Sequence, residues 1–161
     1  MAEDRPGRPA TETHGHAMTE GDTSLPATAL EAMKLPAVRR PIVVVDDDPG
    51  SVTRIARILA EAGRPTITAS GGRSALRQVF GTSLEPILLI CAIEMSEMPG
   101  IELAARFTAA RPGVRVLLMS ADPRSVERAQ EHLPLVHGVL LKPFSPDELR
   151  DAVAAALAHD P

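Results

Sequence analysis

Five short apolar runs divide the chain from residue 42 onward, and their spacing constrains the fold more than any other feature. They are Ile42–Val45, Thr66–Ala69, Ile87–Ala92, Val114–Met119 and Val136–Leu141. Four are rich in Val, Ile or Leu without polar alternation, as strands covered on both faces are. The second, Thr-Ile-Thr-Ala, is weaker and reads as an edge strand. Helical periodicity fills the gaps. Val52, Ile55, Ala56 and Leu59 share one helix face, with Arg54, Arg57 and Glu61 turned away. Ala75, Leu76 and Val79 mark a second helix, and Ile101, Leu103, Ala104 and Phe107 a third. Leu149, Val153, Ala156 and Leu157 mark the last.

The helix starts are explicit. Asp48-Pro49 and Asp122-Pro123 each set a capping carboxylate before a proline at the first helical position. Ser145-Pro146-Asp147-Glu148 has the form of a capping box. Gly63 and Gly113 follow helices, where a left-handed stop is expected. Strand and helix therefore alternate five times. Right-handed crossovers turn that order into an α/β fold, a doubly wound five-stranded parallel sheet with helices on both faces. Ligand sites in such sheets lie beyond the carboxyl ends of the strands, so the residues at those ends are the candidates for chemistry.

Composition narrows the function classes. The chain has 161 residues, room for one ordinary domain and an extension. A net charge of −4 argues against nucleic-acid binding, and 2% aromatic residues, with no Trp or Tyr, leave no base-stacking platform. One Cys excludes a disulfide framework and most zinc sites. No apolar run reaches the roughly 18 residues of a membrane span, and no secretory signal is visible, so a cytoplasmic protein is expected. Residues 1–38 are rich in Pro, Gly, Thr, Glu and Asp and read as a disordered extension, with a short helix over 27–34. Residues 39–161 form the expected domain.

The first strand ends in Asp46-Asp47-Asp48. Asp48 is explained as a helix cap; Asp46 and Asp47 are not. Adjacent carboxylates about 4 Å apart repel by roughly 4 kcal/mol at an effective dielectric of about 20, so a cation should compensate them. A hard divalent ion with oxygen ligands is the natural candidate. The fourth strand ends at Ser120, whose hydroxyl suits either an anion or a turn cap. The fifth ends at Lys142, the only lysine of the domain, since Lys34 lies in the extension. A compact ammonium on a flexible stem could pair with Asp46 and Asp47. The Lys142-Pro143 bond is a candidate cis peptide.

In this order and at these separations, Val-Val-Val-Asp-Asp-Asp-Pro over 43–49, Met119-Ser120-Ala121 and Leu141-Lys142-Pro143-Phe144-Ser145-Pro146-Asp147-Glu148-Leu149 resemble the receiver domain of two-component response regulators. The resemblance covers about residues 41–159. It implies strand order 2-1-3-4-5, a flavodoxin-like fold, and phosphoryl transfer from a partner kinase or small phosphodonor to an aspartate ending the third strand. By resemblance Asp46 and Asp47 are the acidic pair that holds Mg²⁺. Ser120 and Lys142 bind phosphoryl oxygens, and an aromatic switch residue belongs on the fifth strand.

The departures decide the functional expectation. Ala92 stands where the phosphoacceptor aspartate belongs; its methyl is no nucleophile and supplies no metal ligand. Shifting the register puts Met95 there instead, and no Asp occurs between Asp48 and Asp122. Val139 replaces the aromatic switch. Ser96 stands where proline is usual, and Pro99 where Asp or Asn is common. Glu94, two residues past Ala92, would point toward the same side if the strand extended that far. With Asp46 and Asp47 it would make a weak cation site, although a solvent-facing loop glutamate is the favoured reading. Cys91 reads as a small buried hydrophobe, and Met95 and Met98 as packing residues. His14, His16, His132, His137 and His159 form no cluster.

The expectation is a single-domain pseudo-receiver that is not an enzyme and acts by phosphorylation-independent binding, with any Mg²⁺ site weakened. Its partners would be a histidine kinase, a phosphotransfer protein, another receiver, or a second copy as a homodimer, but neither nucleic acid nor membrane. Two alternatives stand beside it. One is a phosphoacceptor that uses Ser120 or Glu94; the other is a small-ligand binder at the strand-end crevice.

Overall fold

A computed structural model describes residues 40–132 and 135–158. The expected extension over 1–38, its helix at 27–34, His14, His16 and His159 lie outside the described residues. Five strands are present: β1 (Ile42–Val45), β2 (Thr66–Ala69), β3 (Leu88–Ala92), β4 (Arg115–Ser120) and β5 (Gly138–Leu141). Five helices connect and flank them: α1 (Pro49–Glu61), α2 (Gly72–Phe80), α3 (Gly100–Ala110), α4 (Pro123–Ala129) and α5 (Pro146–Ala158). A 3-10 turn over Gln130–His132 follows α4. The sheet is parallel throughout with order β2-β1-β3-β4-β5, the expected one.

That order explains the uneven burial of the strands. β1 and β3 sit centrally, and every one of their residues is buried. β2 is an edge, as its composition suggested. β5 is the other edge and corrects the expectation of a strand covered on both faces. Gly138, Val139 and Leu140 are only half-buried and Leu141 is 42% exposed. Apolar runs on an edge strand and a central strand look alike in sequence, because composition does not report the number of neighbours.

The helix signals resolve as capping bonds. The Asp48 side chain accepts the Gly50 N–H, and the Asp122 side chain accepts the Arg124 N–H. Ser145 Oγ accepts the Glu148 N–H at 3.1 Å. Ile55 and Leu59 of α1 are buried, each contributing about 2 kcal/mol by leaving water. Gly63 takes the expected positive φ of 74°. Gly113 does not: the chain leaves α3 through a turn in which Arg111 N–H reaches Phe107 O and Val114 N–H reaches Arg111 O, and no left-handed residue is needed.

Gly100 is the glycine on which the site depends. It opens α3 where the chain doubles back on β3, and its N–H donates to Ile93 O at 2.9 Å. A Cβ there would collide with the Ala92 carbonyl oxygen. Only a residue without a side chain lets α3 begin this close to the end of β3.

Candidate functional site

The ends of β1, β3, β4 and β5 converge at one edge of the sheet, and they divide into two halves. In the first, Asp46 is 3% exposed and Lys142 reaches it from the end of β5. Nζ lies 2.6 Å from Asp46 Oδ2. The other carboxylate oxygen accepts the Asp48 N–H at 3.0 Å. Burial pushes the Asp46 carboxyl upward, but the bonds from Lys142, the Asp48 N–H and the Ser51 hydroxyl, with the Lys142 charge, outweigh it. Asp46 is held below its ordinary range. The Lys142-Pro143 peptide is cis. Phe144 behind it is buried, and its carbonyl accepts a 2.7 Å bond from Arg54 Nη2, whose guanidinium also lies 5.3 Å from the Phe144 ring centroid. Arg54 is exposed, as its place on the outer face of α1 predicts, and its guanidinium ties α1 to the loop that carries Lys142.

The second half lies at the ends of β3 and β4. Ala92 is 3% exposed and fills its place with a methyl. Past Ala92 the chain stays beside β4, since Ile93 N–H donates to Met119 O at 2.9 Å. Alternation along an extended chain then brings Glu94 to the side of Ala92. Glu94 as a residue is exposed, as the favoured reading held. Its carboxylate, however, turns inward onto Ser120, whose Oγ lies 2.9 Å from Oε1 and 2.8 Å from Oε2. The solvent-facing reading of this side chain is therefore corrected: the strand-like path beyond Ala92 sets its direction. Ser120 is buried, and its Oγ also accepts the Asp122 N–H at 3.0 Å.

Asp47 points away from this pair. It is exposed, and its Oδ2 accepts the Ser96 N–H at 3.2 Å. The expected cation site of Asp46, Asp47 and Glu94 is thus not assembled. Among the described residues no group of three His, Cys, Asp or Glu side chains is placed to hold a metal ion. The donor set as arranged does not fit Mg²⁺ either. The ion takes one or two carboxylates and completes its octahedron with water, whereas here Asp46 is bound to an ammonium, Asp47 to a backbone N–H and Glu94 to a hydroxyl. Asp47, Glu94, Met95, Ser96 and Pro99 line a shallow depression of about 490 Å³.

Val139 is half-buried and packs against the core as an aliphatic residue. Cys91 is fully buried, and burial followed by the nearby Asp46 charge pushes its thiol far up, so it behaves as the expected hydrophobe. Met95 and Met98 are buried, in keeping with packing roles. Glu97 was not singled out, although it holds the loop after β3 in place. Its Oε1 accepts the Arg73 N–H at 2.8 Å at the start of α2. The signal was present in the sequence. Gly71 precedes that helix without a side chain to cap it, and orphan N–H groups need an acceptor from elsewhere.

Comparison with known proteins identifies the fold. A model of the response regulator receiver domain matches residues 42–154. The chain belongs to that family. The matched span includes Asp46, Asp47, Ala92, Ser120, Val139 and Lys142. This receiver is 37% identical over 119 residues to the transcriptional regulatory protein ZraR of Escherichia coli, covering 73% of this chain and 26% of that protein. The chain thus spans about a quarter of the length of that relative. It is 32% identical over 114 residues to the sporulation initiation phosphotransferase F of Bacillus subtilis, covering 70% of this chain and 89% of that one. The chemotaxis response regulator CheY4 of Vibrio cholerae shares the receiver's fold at a TM-score of 0.65 with 24% identity, covering 74% of this chain and 99% of that one. No described helix of the receiver is long and apolar enough to cross a membrane.

Proposed function

We propose that this receiver signals by binding a protein partner without being phosphorylated. The observation that carries the proposal is the pairing at the strand ends. Ala92 offers no nucleophilic oxygen. Lys142 is engaged by Asp46 and the Ser120 hydroxyl by Glu94, so the cation and the donor that would meet a phosphoryl group already serve carboxylates. A phosphate approaching this edge would meet Asp47 and Glu94 and be repelled. With Val139 in place of an aromatic ring, the fifth strand carries no switch side chain of the usual kind. The chain then catalyses nothing and works as a fixed scaffold. Its partner is a histidine kinase, a phosphotransfer protein, another receiver or a second copy of itself.

Intact mass spectrometry after incubation with Mg²⁺ and acetyl phosphate tests this. An unchanged mass is expected. A stable gain of about 80 Da, one phosphoryl group in place of a hydrogen, overturns it.

A further inference from the structure

We infer that Glu94 is a tethered anion that orients the Ser120 hydroxyl and thereby fixes the start of α4. The inference rests on the proposal above in one respect only: the position is taken by the chain's own carboxylate and not by a phosphoryl group.

A serine hydroxyl has one proton and must choose an acceptor. Ser120 Oγ has two within reach, the Glu94 carboxylate at 2.8–2.9 Å and the carbonyl of Asp122 at 3.5 Å. The charged acceptor is both closer and stronger, so the proton goes to Glu94. That choice turns the lone pairs of Ser120 Oγ toward the Asp122 N–H, which donates to it at 3.0 Å. Asp122 is the N-cap of α4. Its Oδ1 accepts the Arg124 N–H at 3.0 Å, and its Oδ2 accepts the Ser125 hydroxyl at 3.4 Å. Ser125 is buried and in turn accepts from Arg128 Nη2 at 3.4 Å. A continuous line of hydrogen bonds therefore runs from the loop after β3, through the end of β4, into the first turn of α4.

Removing the Glu94 carboxylate lets the Ser120 proton turn to the Asp122 carbonyl. The same oxygen then presents a different lone-pair direction to the Asp122 N–H, and the cap loosens. α4 has only seven residues, so the bonds at its N-cap satisfy orphan N–H groups over most of its first half. Glu94 is in this sense a positioning residue for the surface α4 presents. The chain itself sets that surface, and no modification is needed.

The test uses the full chain labelled with ¹⁵N, as wild type, Glu94→Ala, Glu94→Gln and Glu94→Ala in a Ser120→Ala background. In Glu94→Ala the amides of Asp122, Arg124 and Ser125 are expected to shift, and the Asp122 amide to exchange about tenfold faster. The Gln side chain keeps an acceptor oxygen, so Glu94→Gln should recover most of both effects. In the Ser120→Ala background, Glu94→Ala should add nothing at α4, since the link is already cut. If Glu94→Ala moves only the amides of Met95–Gly100, or if its effect on α4 persists without the Ser120 hydroxyl, the inference is overturned. The mass measurement above is made on the same samples. A phosphoryl adduct with the α4 response intact would defeat only the phosphorylation-free reading, and an unmodified chain with an indifferent α4 only this one.

Discussion

The two halves of the strand-end edge solve the same electrostatic problem in different ways. At the ends of β1 and β5, Asp46 and Lys142 neutralise each other directly, the carboxylate buried at 3% exposure and the lysine half-buried at 25%. At the ends of β3 and β4, a buried hydroxyl is met by an exposed residue's carboxylate that turns inward onto it. The first half is part of the core's integrity, because a buried carboxylate without its ammonium is intolerable. The second half is held by a charge-assisted bond from a buried hydroxyl to the carboxylate of an exposed residue. Solvent shares that charge, so a change there costs less than in the first half.

The largest expected effects attack the parts of the edge that cannot yield. Gly100→Ala drives a Cβ into the Ala92 carbonyl, and the start of α3 must shift; a loss of about 3 kcal/mol is expected in denaturant unfolding. Lys142→Met leaves Asp46 buried without its cation and should also cost about 3 kcal/mol. A loss below about 1 kcal/mol for Lys142→Met would erase the contrast between the halves.

The same pair has a pH signature. Asp46 is depressed in the folded chain, so the native state binds fewer protons there than the unfolded one. Its contribution is present above about pH 4 and is lost as pH falls through the lower folded value. In Lys142→Met the bonds that lowered Asp46 are reduced and burial raises it. The stability gap between wild type and variant should therefore narrow as pH falls from about 7 to about 3, read by urea unfolding at each pH. A constant gap contradicts the pairing.

A gain-of-function series sharpens the other half. Ala92→Asp restores an oxygen nucleophile, but Ser120 stays engaged by Glu94. Ala92→Asp with Glu94→Ala frees the hydroxyl and should accept a phosphoryl group from acetyl phosphate faster, by on the order of a hundredfold for one donor regained. Equal rates would mean that Glu94 does not occupy the hydroxyl. The smallest effect lies away from the edge. His137 Nδ1 accepts the Val116 N–H at 3.0 Å beside the start of β5, and His137→Leu should cost about 1 kcal/mol in thermal or denaturant unfolding.

Much of this was legible in the residues. The alternation of apolar runs with capped helices specified a parallel α/β sheet. Asp46, Ser120 and Lys142 stood out because charge and hydroxyl groups at buried strand ends need partners. Lys142 was legible as a partner for Asp46 and Asp47 alike, beside a divalent ion, and the structure gives it to Asp46. Glu94 was less legible because its direction depends on how far the chain keeps pairing with β4 after Ala92. That is decided by the Ile93–Met119 backbone bond and by the return at Gly100, neither of which has a local signature. Arg54 and Glu97 were missed for a related reason. Their partners are distant backbone groups, the Phe144 carbonyl for Arg54 and the Arg73 N–H of α2 for Glu97. Gly71 announces that α2 needs an outside acceptor, but nothing local names Glu97 as the one that supplies it.

The central claim is that the charges at the strand ends are spent on one another. A Mg²⁺ titration of the ¹⁵N-labelled chain, followed at the amides of Asp46, Asp47, Ala92 and Lys142, tests it most directly. No saturable shift is expected at millimolar Mg²⁺. Saturable, coincident shifts of Asp46, Asp47 and Lys142 would mean that the cation displaces the ammonium and that the old site still binds metal.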